Sequence, residues 1–488
     1  MTPLWGTEEQ GSDPCAGSVV SSGHDVPGST GSKETMMSER ENSRVDRRGF
    51  LKAGATVGLA TALGDLGVSA ASQKRSGQPK LEFKVPPIDP VRIGYVGVGG
   101  MGSAHVRNLL RIEGAEIRAV CDIVPEKVAR IQKWVVEAGQ KEPEGYTRGP
   151  WDFKRLCERG DLDLVYNATP WEWHVPICVA AMEAGKHAAT EVPAAMTLDE
   201  CWQLVNTAER TGRHCVMMEN CCYDRPEMLC LNLVKQGLLG EILAAEAGYC
   251  HDLRALKFST EGEGLWRLAH SIKRNANLYP THGLGPVAQC MDINRGDRFA
   301  YLVSMSSPSR GLNLMAAKLF GSEDPRAKQK YALGDVNVSL IHTALGKVIT
   351  LYHDTDTPRP YSRIHHVQGT KGIFEKYPDR VYIEGRGKND AWDTLDKYAE
   401  FDHPLWTTQA DKARGAGHGG MDYIEDFRLI DALRNGRPLD MDVYDAAAWS
   451  VVTPLSEQSV ARKSRAIDFP DFTRGGWKTP RVLHVMEV

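Results

Sequence analysis

The sequence contains no uninterrupted apolar run approaching the roughly 18 residues that carry a helix across a bilayer, so an integral membrane protein is not expected. It has no excess of positive charge. Lysines and arginines number 59 against 63 acids, a formal charge of −4, and no basic stripe interleaved with aromatics marks a phosphate-tracking surface. Nucleic acid is therefore excluded as the expected partner. Its cysteines lack order: 11 fall at irregular spacing with no C-x-x-C pair, which signals neither a disulfide framework nor a zinc knuckle. Buried free thiols are expected instead, adjacent Cys221 and Cys222 included.

What is there is a chain of 488 residues, 42% hydrophobic and 25% charged. That is ordinary globular composition, too long for one average core, and it predicts two domains. Residues 1 to about 43 are rich in glycine, serine and charge, and bury too little apolar surface to offset their ordering entropy. Arg47-Arg48-Gly49-Phe50-Leu51-Lys52 then precedes a weakly apolar run from Ala53 to Ala71, with a small-residue site around Val68-Ser69-Ala70. That order resembles a twin-arginine export signal, the plain alternative being an amphipathic helix. A start at Met36 or Met37 would place the motif near the N-terminus. The expectation is a disordered leader and signal over 1–78 and export, already folded, to the periplasm or the medium.

After a proline-rich linker at Val85-Pro86-Pro87, the apolar stretch 91–96 reads as a strand and runs directly into Gly97-Val98-Gly99-Gly100-Met101-Gly102. The spacing is G-x-G-x-x-G. Gly97 permits a tight turn, Gly99 lets the backbone approach a pyrophosphate, and Gly102 lets the following helix sit close to the sheet, its N-terminus facing phosphate. A helical stretch to about residue 112 leads into a second strand, 116–121, ending at Asp122, twenty residues past Gly102. A carboxylate there accepts hydrogen bonds from ribose hydroxyls and repels a 2′-phosphate, which favours NAD. Further strands are expected at 163–167, 187–191 and 214–219, with helices at 126–138, 175–184 and from the capping-box tetrad Thr197-Leu198-Asp199-Glu200 to about 211. This alternation implies an α/β Rossmann domain over 79–222, a doubly wound parallel sheet. Ligands of such sheets sit beyond the strand ends, at Ala168-Thr169-Pro170-Trp171-Glu172-Trp173-His174, Glu191-Val192-Pro193 and Asn220.

From Leu238-Leu239-Gly240-Glu241 onward the pattern changes. Strands at 242–249, 337–342, 347–353 and 381–384, joined by long connections, predict a C-terminal α+β substrate domain over 223–488 with an open, largely antiparallel sheet. The glycine fingerprint, Asp122 and Glu191-Val192-Pro193, in the place of a Glu-Lys-Pro signature, resemble the glucose-fructose oxidoreductase and inositol dehydrogenase superfamily. There the signature lysine contacts cofactor and substrate; Val192 in its place argues against a plain sugar dehydrogenase. A more extensive resemblance is to glycoside hydrolase family 109, the NAD-dependent α-N-acetylgalactosaminidases. It rests on Trp171-Glu172-Trp173-His174, Glu219-Asn220, Gly248-Tyr249-Cys250-His251-Asp252-Leu253-Arg254, Tyr279-Pro280-Thr281-His282-Gly283, Pro358-Arg359-Pro360-Tyr361-Ser362 and His418-Gly419-Gly420-Met421-Asp422. The resemblance implies NAD contacts at Met101, Gly102, Asp122, Trp171, Glu172, Trp173, His174, Glu191, Val192, Asn220, Arg267 and Tyr279. For the sugar it implies Tyr249, Tyr279, Pro280, Thr281, His282 and Tyr361.

Most glycosidases place two carboxylates across the scissile bond, and no such pair dominates this sequence. The family resemblance implies another route: oxidation at C3, loss of the acidified C2 proton, elimination of the aglycone, addition of water and reduction. His282 is read as the base for the C3 hydroxyl, on the argument that a helix starting near Pro280 would favour neutral imidazole. Tyr249 or Tyr279 is assigned the C2 proton or the enolate. His251, Asp252, His418 and Asp422 match no standard ligand spacing, and no metal is expected. The competing readings are a sugar oxidoreductase with net turnover and a non-catalytic NAD-loaded sugar-binding protein. A homodimer is expected from the open sheet.

Overall fold

In the computed structural model, which describes residues 81–83 and 85–487, the first sheet has six strands. They are β1 (Val91–Val96), β2 (Ala115–Cys121), β3 (Glu144–Tyr146), β4 (Leu164–Asn167), β5 (His187–Thr190) and β6 (Cys215–Met217). All pairs are parallel, in the order β3-β2-β1-β4-β5-β6. Strands covered on both faces by helices become nearly continuous apolar runs, and Val91, Ile93, Tyr95, Val96, Leu164, Val165 and Tyr166 are all buried. The helix Leu198–Thr211 opens on the expected capping box: Glu200 N–H donates to Thr197 Oγ1 (3.2 Å) and Thr197 N–H to Glu200 Oε2 (2.9 Å). β3, three residues of Glu-Gly-Tyr, is too short to show a period and was not among the expected strands. The leader and twin-arginine segment lie outside the described residues.

The second sheet has eight strands: β7 (Ile242–Cys250), β8 (Phe299–Ser306), β9 (Val336–Thr343), β10 (Val348–Asp354), β11 (His366–Gly369), β12 (Gly372–Glu375), β13 (Arg380–Ile383) and β14 (Ile467–Asp468). Their order is β13-β12-β11-β7-β10-β9-β8-β14, antiparallel except for the central β7–β10 pair. One face buries Ala245, Ala247, Leu302, Ile341, Ile349 and Leu351; on the other Leu243, Tyr301, Met305, Leu340 and Val348 are exposed. The helix Met421–Arg434 returns to the first sheet, where its buried Asp426 accepts a hydrogen bond from Asn108 Nδ2 (3.0 Å) on the helix Gly100–Leu109. The ten described cysteines are all buried and free, as expected. No helix among the described residues is long and apolar enough to cross a membrane.

Burial also sets an acid limit. It pushes His187 and His353 down to about 3 and His214, His270, His365 and His403 down to about 4. Below about pH 6.5 the unfolded chain takes up protons on these rings while the native state leaves them neutral, so stability falls as pH drops. His105, raised well above its usual value despite burial because Asp426 and Glu191 flank it, and Glu425, raised by burial, work in the opposite direction but are outnumbered by the six depressed rings. The denaturant midpoint is expected to fall from pH 7 to pH 5; a rise over that interval would show that these rings are not neutral in the fold.

Candidate active site

The strand order reverses between β1 and β4, and the glycine loop leaves β1 at that switch point. Gly97 has φ +84°, and a Cβ there would strike Ala168 O at 2.7 Å; a Cβ on Gly102 would lie 2.0 Å from Gly97 O. Around Gly99 and Gly100 nothing lies within 4 Å of an added Cβ. The result is a tight turn, a helix pressed against it, and open space over the helix N-terminus, with partly exposed Met101 in the first turn. Asp122 stands at the end of β2 and accepts from Val98 N–H and Val124 N–H, both at 2.9 Å, so the carboxylate braces the glycine loop. Each carboxylate oxygen keeps a further acceptor position for a ribose hydroxyl. The cradle fits a dinucleotide.

A second group of residues gathers at the end of β7. Tyr249, on that strand, lies 4.6 Å ring to ring from Tyr279, 5.5 Å from His282 and 6.1 Å from Tyr361, and its hydroxyl is 3.0 Å from His251 Nδ1. His282 belongs to the helix Thr281–Cys290, which follows Pro280 directly. Two glycines let this helix approach. A Cβ on Gly283 would lie 2.4 Å from Gly248 N, and one on Gly285 would meet Glu219 Cγ at 3.0 Å and Trp449 at 2.9 Å. Gly283→Ala is expected to push the helix off β7 by about 1 Å and cost roughly 10²-fold in turnover, although alanine is the better helix former. The expected readout is lost turnover with retained NAD; wild-type turnover would show that the close approach does not position His282.

Glu219 is fully buried, and its Oε1 lies 2.7 Å from His282 Nδ1. Burial alone would raise the carboxyl, yet His282, the Thr281 hydroxyl and Cys221 N–H hold it below the usual carboxylate range. An ionised carboxylate only accepts, so Nδ1 carries a hydrogen and Nε2 is the ring nitrogen turned to any further partner. The helix begins where the sequence predicts, but the ring's tautomer is fixed by this carboxylate, a partner the sequence argument did not include. Buried Arg267 lies 5.0 Å from the Trp171 ring centre, 4.9 Å from Trp266 and 5.0 Å from Tyr279, an aromatic cage for its cation, with Glu263 on its Nε. Burial pushes the Tyr279 phenol well above its usual value despite Arg267 beside it, so the group stays protonated. Tyr361 is likewise raised by burial, and Arg363 Nη1 donates to its hydroxyl (3.2 Å).

Behind these side chains run two polar chains. Glu191 Oε1 lies 2.7 Å from His105 Nε2, whose Nδ1 is 2.9 Å from Asp426 Oδ2; Tyr166 donates to the same carboxylate (3.0 Å). One helical turn earlier, Asp422 accepts from Asn220 Nδ2 (2.7 Å) and lies 2.8 Å from His418 Nδ1, and these partners hold it down to about 2 despite burial. His418 and Asp422, whose spacing matched no metal site in the sequence, thus form a hydrogen-bonded chain that ends on Asn220.

Of the expected residues, the structure brings Tyr249, Tyr279, Pro280, Thr281, His282 and Tyr361 together with Trp171 and Arg267. Trp173 packs instead on Trp151 (5.0 Å) and Phe153, and Glu172 is exposed. His174 is fully buried with both ring nitrogens 2.8 Å from carbonyl oxygens, of Pro193 and Thr169, so its side chain braces the loops after β4 and β5. Val192 is buried. Glu219 is the residue whose role was missed: it stands in a matched motif, but its partner lies 63 positions away. No metal-ligand spacing stood out in the sequence, yet folding does create one mixed donor group among the described residues, at Glu219, Cys221 and His282.

The fold and the cradle define an NAD-dependent enzyme on the oxidoreductase Rossmann fold, and residues 91–219 match the family model "Oxidoreductase family, NAD-binding Rossmann fold". Residues 223–479 match "Glycosyl hydrolase 109, C-terminal domain". The chain belongs to glycosyl hydrolase family 109. It is 47% identical to a family 109 protein of Shewanella pealeana over 91% of this chain and 99% of that one. With a family 109 protein of Solibacter usitatus it shares 48% identity over 89% and 99%. Among solved structures it is similar to levoglucosan dehydrogenase in complex with NADH and levoglucosan (TM-score 0.59, 20% identity, 78% of this chain and 100% of that). It is also similar to scyllo-inositol dehydrogenase from Lactobacillus casei with NAD(H) and scyllo-inositol (TM-score 0.56, 14% identity, 78% and 98%). At those identities the likeness is one of fold.

Proposed function

We propose that this protein hydrolyses terminal α-linked N-acetylgalactosamine by a redox-neutral, NAD-dependent route. The observation that carries the proposal is the Glu219–His282 pair set against Tyr249 and Tyr279. The carboxylate of this group is sealed behind a histidine, which suits a proton-transfer site and does not suit two carboxylates flanking a glycosidic bond.

Bound NAD supplies reversible oxidation at C3 of the sugar. His282 Nε2 takes the C3 hydroxyl proton while Glu219 stabilises the imidazolium that forms. With C3 a ketone, the C2 proton becomes acidic, and Tyr249 takes it as it passes its own hydroxyl proton to His251 Nδ1, 3.0 Å away. Tyr279 remains a neutral phenol and donates to the developing enolate oxygen. The aglycone leaves C1, water adds there, and the same groups return the protons. Tyr361, its oxygen engaged by Arg363, presents its hydrogen to a sugar oxygen.

Purified protein given a nitrophenyl α-N-acetylgalactosaminide without added NAD is expected to release nitrophenol with no lasting NADH absorbance. Sustained NADH accumulation with free sugar would instead identify a net oxidoreductase, and binding without turnover a sensor. The acetamido sugar and the α-anomer rest on the family resemblance, so the β-anomer and the plain galactoside belong in the same assay. Two copies pair through the exposed face bearing Leu243, Met305, Leu340 and Val348, which a molar mass from light scattering tests. The proposal also includes export by the Arg47-Arg48 motif, tested by cell fractionation of a twin-lysine variant.

A further inference from the structure

Three donor atoms of unlike chemistry meet behind His282. A carboxylate oxygen of Glu219, the sulfur of Cys221 and a ring nitrogen of His282 all lie within 4.8 Å of one another. Glu219 and Cys221 are fully buried, and His282 is the partly exposed member of the three. The turn Asn220–Tyr223 holds the first two in place: Cys221 N–H donates to Glu219 Oε1 (3.2 Å) and the Cys221 thiol to Asn220 Oδ1 (3.4 Å), a bond the thiol gives up when it binds a metal. Only the backbone N–H of Cys221 serves the hydrolysis derived above, by its bond to Glu219; the sulfur has no part in it.

Carboxylate, thiolate and imidazole together form the borderline-soft, three-ligand set that zinc takes while leaving a fourth position open. We propose that a zinc-class divalent cation binds Glu219, Cys221 and His282 Nδ1 and shuts the enzyme off. Zinc ligand distances of about 2.0 to 2.3 Å require the His282–Glu219 contact to open only slightly, since atoms sharing a tetrahedral ion stand about 3 to 4 Å apart.

The proton balance explains the inhibition. Cys221 releases one proton to solvent and binds as thiolate. The hydrogen on His282 stays on the ring but moves from Nδ1 to Nε2, because the metal now takes the Nδ1 lone pair. Glu219 exchanges its N–H partner for the ion. Carboxylate and thiolate together cancel the two positive charges, so the buried site carries no net charge, which is the condition for an ion to be held out of water. Nε2, now an N–H, has no lone pair left to accept the sugar proton. The inhibition therefore rests on the reading of His282 as the base; the binding rests on the donor geometry alone.

The test uses the NAD-loaded protein and cobalt(II) as a coloured stand-in for zinc. One cobalt per chain is expected to bind with a sulfur-to-metal charge-transfer band, and zinc is expected to abolish nitrophenol release reversibly, with recovery on adding a chelator. Cys221→Ser is expected to keep its basal turnover, lose the band and need at least about 100-fold more zinc for inhibition, since even outer-shell changes cost 10- to 100-fold. Cys222→Ser is expected to behave as the wild type. Cobalt bound without the sulfur band, which needs no variant to fold, would overturn the site. Equal zinc inhibition of wild type and Cys221→Ser would do the same. The band with turnover untouched would overturn the inhibition, and with it the role of His282, by a measurement separate from the site itself.

Discussion

Replacing His282 by alanine is expected to lower turnover by about 10³-fold while NAD stays bound, the usual range for a lost general base being about 10² to 10⁴. The loss falls on kcat, because the proton is transferred in the transition state and not on binding. NAD retention follows from position: the glycine cradle is built at the end of β1, and His282 stands on a helix packed on β7. Glu219→Gln tests the same unit from behind. An amide keeps the volume but can turn its NH₂ toward Nδ1, which favours the tautomer with the hydrogen on Nε2, and a comparable loss is expected, as for tautomer errors in other catalytic histidines. Full activity in His282→Ala would remove the residue from the mechanism. Full activity in Glu219→Gln alone would leave His282 in place but show that its tautomer is set otherwise.

The second large effect lies in the cradle. Gly102→Val places a Cβ 2.0 Å from Gly97 O, far inside contact distance, and that oxygen belongs to backbone that the strand and turn hold. The helix must move by about 1 Å or the turn must open, and either spoils the phosphate site. The variant is expected to purify without NAD and to lose at least about 10²-fold in turnover even with NAD added. Gly160→Ala is the control: nothing lies within 4 Å of its Cβ and it stands outside the glycine loop, so cofactor content and turnover should stay near wild type. NAD retained in Gly102→Val would mean that the dinucleotide is held elsewhere.

The parts of this protein that are local in sequence could be read there. A strand running into G-x-G-x-x-G, a carboxylate closing the next strand, and Thr197 spaced from Glu200 each state their geometry within a few residues, and each folds as read. The Tyr249, Tyr279 and His282 group was reached through motif resemblance, since nothing in periodicity brings β7 to a helix thirty residues on. What stayed hidden are pairings over long separations. Glu219 with His282, Asn220 with Asp422 and His105 with Asp426 lie 63, 202 and 321 residues apart, and a buried carboxylate reads like any other acid until its partner arrives. One local signal was available: Gly283 and Gly285 stand inside the helix Thr281–Cys290, where glycine costs helix stability and allows close approach. His174 shows the converse, a histidine in a binding-loop motif whose ring serves backbone carbonyls.

The central claim is that the C2 proton of the sugar leaves and returns during hydrolysis. Running the reaction in heavy water and examining the released N-acetylgalactosamine by NMR or mass spectrometry tests it directly. The account predicts deuterium at C2 of the product, with no net change in NAD. Complete hydrolysis with hydrogen fully retained at C2 would contradict it, because a direct displacement at C1 never breaks that bond.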